Sequence, residues 1–147
     1  MSDMTWFRLG WQSTILSLLR FVAGLAFLEH GAAKLWGFPV VASYAHGLPP
    51  LLRAAGIVEF FGGALVCIGL LTRPAAFLAS GEMAIGYLMV HAQKSFFPIL
   101  SSGDAALLFC FIFLYLAVAG GGAWSLDRLI AGPCSWLAGP LAGAETA

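Results

Sequence analysis

Apolar residues gather along the chain into four runs, separated by short stretches rich in glycine, proline or charge. The runs cover about 13–35, 51–71, 74–93 and 104–120. Each is near the ~20 residues that a helix needs to cross the hydrocarbon of a bilayer, the fourth being the shortest. The connection GFPVVASYAHGLPP follows the first run, and Pro49-Pro50 can open the second helix. Arg73-Pro74 marks a tight turn before the third, KSFFPILSSG leads to the fourth, and Gly120-Gly121-Gly122 ends it. In the tail, Ser125 can cap a short helix that Asp127, Arg128 and Pro133 keep from becoming a span. The pattern predicts an all-α, integral membrane four-helix bundle with a short interfacial C-terminal helix, in one domain over residues 1–147.

Composition strengthens that expectation. Hydrophobic residues make up 61% of the chain and charged ones 10%, against about 45–50% and about 25% in soluble domains. Mean hydropathy is +0.92. So much apolar surface calls for a lipid bilayer as partner. Trp6, Trp11, Trp36, Trp124 and Trp136 fall near segment ends, as in interfacial aromatic belts. Arg8 precedes the first run as in a signal peptide, but Arg20 interrupts the run and no small-residue cleavage site follows, so a retained helix is expected. Net charge is zero and there is no basic patch, which argues against nucleic acid. Four spans put both termini on one side. Arg8, Arg73 and Arg128 there, with Arg20 nearby, slightly outweigh Lys34, Arg53 and Lys94 opposite, which favours a cytoplasmic position for the termini.

Charges inside spans need partners or a purpose. Threading the runs up and down brings Glu29, His30 and Lys34, then Glu59, then His91 and Lys94, then Asp104, to one end of the bundle. At about 100° per residue, Arg20, Gly24, Phe27, Gly31 and Lys34 form one stripe of the first helix, with His30 about 80° away and Glu29 opposite. Gly56, Glu59, Gly63 and Leu70 share a face of the second. In the third, Ala75, Glu82, Gly86, Met89 and Gln93 share one, and His91 lies opposite Glu82 unless the helix is irregular. Arg20 and Glu82 fall at similar depth toward the other end, where a structural ion pair is expected. Cys67 and Cys110 differ in depth by about 12 Å, too far for a disulfide. No cysteine pair has metal-ligand spacing, and no metal is expected.

His30, Lys34, Glu59, His91 and Asp104 are therefore the candidate polar cluster. A quinone headgroup carries two carbonyl oxygens. Imidazole and ammonium donors suit them, and a carboxylate can exchange protons as the ring is reduced.

The same residues carry a resemblance. Arg20, Gly24 and the run Phe27-Leu28-Glu29-His30-Gly31-Ala32-Ala33-Lys34-Leu35 come first. They are followed by Gly56-x-x-Glu59-x-x-Gly62-Gly63, Gly69-Leu70-Leu71-Thr72-Arg73-Pro74-Ala75-Ala76 and Gly81-Glu82-Met83-Ala84. His91-Ala92, Phe96-Phe97-Pro98, the glycine triplet and Trp124-Ser125-Leu126-Asp127 complete the order. In this order the chain resembles the DoxX family over residues 14–130. The resemblance implies a four-helix protein of the bacterial inner membrane and a link to redox chemistry. Some relatives are subunits of thiosulfate:quinone oxidoreductases, and others accompany membrane oxidoreductase complexes. The sequence has no haem, flavin or iron–sulfur motif, so no intrinsic cofactor is expected; the redox link that the resemblance implies would need a quinone or a redox partner subunit. A non-catalytic scaffold for soluble redox proteins is the alternative. Glycine-rich helix faces would also suit a homo-oligomer.

Overall fold

The computed structural model describes residues 3–44 and 47–130, and side-chain environments from residue 11 onward. His46, Cys134 and Trp136, and the side chains of Trp6 and Arg8, lie outside these. All regular structure described is helical: α1 (Asp3–Trp36), α2 (Pro50–Ile68), α3 (Thr72–Gly86), α4 (Pro98–Ser101), α5 (Asp104–Ala119) and α6 (Leu126–Ile130). Helix α1 starts at Asp3, about half a span before the apolar run. The third run does not stay α-helical to Gln93, because α3 passes into a π-helical turn over Tyr87–His91. The KSFFPILSSG connection contains the single turn of α4, opened by Pro98.

Local chemistry sets the boundaries. Pro50 opens α2, and Gly69 closes it in the left-handed conformation at φ 74°. There the amide of Leu70 donates to Leu65 O at 2.9 Å, the long bond of a Schellman cap. Ser125 caps α6 as expected, its Oγ accepting from the amide of Arg128 at 3.3 Å. Asp127 does more than interrupt a span. It is buried, and its two carboxylate oxygens accept from the amides of Leu71 and Thr72 at 2.7 and 2.8 Å. The tail thus supplies the cap that the start of α3 lacks in its own sequence.

Helix α1 packs along α2, α2 against α3, and α3 along α5, with further contacts between α1 and α5. The glycine faces read from the sequence meet each other. A Cβ on Gly24 would lie 2.6 Å from the Cys67 amide nitrogen, and one on Gly63 would lie 2.6 Å from that of Leu28. Only glycine lets the two backbones approach so closely. On the inner faces Phe27 packs edge-on against Phe113 with ring centroids 4.7 Å apart, above Leu16, Val66, Ala76 and Leu116.

The outer faces are apolar as well. Leu18, Phe21 and Val22 on α1, Phe61 on α2, Phe77 and Leu78 on α3, and Phe111 and Val118 on α5 are all exposed. Trp11–Trp36 and Pro50–Ile68 are each long and apolar enough to cross a membrane. Cys67 and Cys110 are both free thiols.

Arg20 corrects the expected ion pair with Glu82. It is 3% exposed, and among the described residues its guanidinium donates to carbonyls. Nε reaches Gly121 O at 2.8 Å, Nη1 reaches Val66 O and Cys67 O at 2.5 Å each, and Nη2 reaches Trp124 O at 2.7 Å. Val66 and Cys67 lie in the last turn of α2, where carbonyls lack i+4 amide partners and the dipole favours a cation. Because α1 begins before its apolar run, Arg20 is level with the ends of α2 and α5. Glu82 lies ten residues into α3, about 15 Å farther along. The depths that matched in sequence do not match in space.

Candidate functional site: a polar cavity at one helix end

At the opposite end, α1 and α2 are joined by an ion pair. Lys34 Nζ donates to Glu59 Oε1 at 2.5 Å, with the two side chains 11% and 2% exposed. The contact follows from the glycine faces. Gly56, one turn before Glu59, lies so close to Lys34 that a Cβ there would sit 2.9 Å from the lysine Cβ. The second carboxylate oxygen, Glu59 Oε2, is buried and makes no hydrogen bond among the described residues.

Beside the pair is a cavity of about 260 Å³. Four of the five residues expected in the polar cluster line it: His30, Lys34, Glu59 and His91. Phe27 and Phe109 give it aromatic walls, and Met83, Ser102 and Tyr44 complete its polar and apolar rim. His30 stands edge-on to Phe109 with centroids 5.9 Å apart. Asp104, the fifth residue, does not line the cavity. It is exposed at the first turn of α5, where a carboxylate suits the helix dipole, and only the following Ala105 and Ala106 reach the wall.

His91 reaches the site through the π turn. Nine residues separate it from Glu82, which in a regular helix sets the two about 180° apart. The bond from the Ala92 amide to Tyr87 O, 2.9 Å long, spans five residues. One residue is absorbed in that wider turn, which leaves a phase difference of about 80°. Gly103 then lets the ring approach α5, since a Cβ there would lie 2.8 Å from the His91 Cβ.

Both imidazoles are oriented by backbone. His30 Nδ1 lies 2.8 Å from Ala26 O, and His91 Nδ1 lies 2.8 Å from Ser101 O. A carbonyl oxygen only accepts, so each Nδ1 carries a hydrogen, and in a neutral imidazole the lone pair is then on Nε2. Glu82 belongs to this end rather than to Arg20. It is within electrostatic range of Glu59 and Lys34, and its Oε2 is buried with no hydrogen bond among the described residues.

Sequence periodicity did not find Tyr44, which follows no helical register. It closes a short 3-10 turn, Ala42–Tyr44, and lines this cavity and two adjoining hollows of about 310 and 180 Å³. Glu29, on the outer face of α1, lines only the last of these. No group of three or more His, Cys, Asp or Glu among the described residues is arranged to hold a metal.

Comparison with known proteins finds relatives over most of the chain. A protein of Haemophilus influenzae named "Uncharacterized protein" is 41% identical over 118 residues, covering 77% of this chain and 88% of the relative. "Inner membrane protein YqjF" of Escherichia coli is 29% identical over 76% of the chain and 88% of its own length. "Putative oxidoreductase CatD" of Bacillus subtilis is 28% identical over 77% and 84%. No solved structure matches the chain. The DoxX family model aligns to residues 15–92, which contain Arg20, the α1–α2 glycine faces and all four charged or imidazole side chains of the cavity. By that match, and by its relative at 41% identity, the chain belongs to the DoxX family.

Proposed function

We propose that this protein is a four-span subunit of the bacterial inner membrane that binds the headgroup of a quinone/quinol pair in the cavity at its polar end, as part of an oxidoreductase complex. The observation that carries the reading is the meeting of His30, Lys34, Glu59 and His91 from α1, α2 and the end of α3 around one aromatic-walled space. Ionisable groups at membrane depth are costly and tend to mark functional sites. A cavity of about 260 Å³ suits a single substituted ring rather than a larger cofactor. The apolar outer faces suit lipid and an isoprenoid tail. The names of two relatives, "Inner membrane protein YqjF" and "Putative oxidoreductase CatD", point the same way. Electrons would pass between the ring and a redox partner subunit, while the side chains bind, orient and exchange protons with it.

Photolabelling tests this. An azido-quinone added to the protein in liposomes should label peptides containing His30, Tyr44 or Phe109. Both His30→Ala and Glu59→Gln should lose that labelling at unchanged abundance. Labelling elsewhere, or equal labelling of both variants, would exclude the site. The Lys34–Glu59 pair also favours a second reading, a scaffold in which that pair only clamps α1 to α2. In that case Glu59→Gln lowers abundance in the membrane and labelling per molecule stays constant.

A further inference from the structure

Resting on the ring-binding reading above, we infer that the cavity selects the reduced, dihydroxyaromatic form of its ligand over the quinone. The argument is a balance of donors and acceptors. Imidazole and ammonium donors were expected to meet carbonyl oxygens, but the imidazole hydrogens are already used. His30 Nδ1 and His91 Nδ1 face Ala26 O and Ser101 O, each at 2.8 Å. What each ring has left is Nε2, an acceptor. Glu59 adds a third acceptor, because its Oε2 is buried and has no partner among the described residues.

Among the side chains lining the cavity Lys34 is the fixed donor, and one of its hydrogens is already on Glu59 Oε1 at 2.5 Å. The hydroxyls of Tyr44 and Ser102 serve either role and leave the balance unchanged. A quinone carbonyl can accept from Lys34 but satisfies none of the three acceptors. A ring hydroxyl accepts from Lys34 and donates to an imidazole Nε2 or to Glu59 Oε2 at the same time. Sites built to hydrogen-bond a hydroxyl discriminate against the analogue that lacks it, since a buried group of their own, here Glu59 Oε2, is then left unpaired. The ligand class is thus a hydroquinone or other dihydroxy ring, drawn from the lipid pool or free in solution.

Equilibrium binding to the full chain in detergent or nanodiscs decides this. The probes are a decyl-tailed hydroquinone held reduced, its quinone, and the same two rings without tails. The expected result is hydroquinone binding at least about tenfold tighter than quinone, as for one discriminating hydrogen bond. His30→Gln and His91→Gln each present an amide that also donates, so each should bring that ratio toward one without loss of folded protein. If the variants do not fold, the wild-type ratio alone decides. A tailed ring that binds more tightly than the tail-less one assigns the ligand to the lipid pool, and equal binding assigns it to solution; both support the inference. Quinone binding as tightly as hydroquinone, or more tightly, would overturn the inference while leaving the ring-binding reading intact. Binding of neither form would remove both.

Discussion

At the scale of single residues, the two ends of the molecule use charge in opposite ways. Arg20 is saturated. Its donors meet carbonyls of Val66, Cys67, Gly121 and Trp124, which joins α1, the end of α2 and the segment after α5. Arg20→Ala would take this donor from Cys67 O, Gly121 O and Trp124 O, while Val66 O keeps the Gly69 amide at 3.1 Å; each acceptor left unpaired and buried costs about 1–3 kcal/mol. It should lower stability by ~3 kcal/mol or more, read as the thermal midpoint in detergent. Arg20→Lys, with one compact ammonium in place of a five-donor fork, should recover only part of that. An unchanged midpoint in Arg20→Ala would contradict the clamp. At the polar end, by contrast, Glu59 Oε2 and Glu82 Oε2 are buried without hydrogen bonds among the described residues. Residue identities were legible in the sequence for four of the cavity's side chains, because buried charge is conspicuous in an apolar run. The partner of Arg20 was not, since carbonyl acceptors leave no trace in a sequence. Nor was the tautomer of either histidine, which depends on what Nδ1 meets.

At the scale of elements, periodicity was right wherever the helices are regular. The stripe through Gly24, Gly31 and Lys34 and the face through Gly56, Glu59 and Gly63 pack on each other as their phases require. Gly63→Leu should force α1 and α2 apart and destabilise the protein by about 1–3 kcal/mol, measured by the same thermal midpoint. Periodicity failed at His91, whose place depends on the π turn over Tyr87–His91. That failure gives a sharp test. Deleting Val90, an exposed residue of the turn, should restore a regular helix and keep His91 at its present phase, so ring binding survives. Inserting one alanine after Val90 should carry His91 about 100° further round and abolish its contribution. Loss of binding in the deletion, or retention in the insertion, would refute this account of the turn. Tyr44 and α4 lie in irregular connections, where sequence pattern carries no register to read.

At the scale of the whole molecule, a helical protein with apolar side chains on both its inner and outer faces is built for lipid. Composition alone made that legible, and membership of the DoxX family accords with it. What composition could not give is the asymmetry: one end closed by Arg20 and Asp127, the other opened by a cavity under the connection that carries Tyr44. The central claim is that this cavity holds a redox-active ring. Native mass spectrometry of the protein purified in mild detergent tests it most directly. Wild type should carry a quinone- or quinol-class lipid in about one-to-one ratio, and Glu59→Gln and His30→Ala should arrive folded but without it. A wild-type protein free of any such lipid, or variants that retain it unchanged, would contradict the claim.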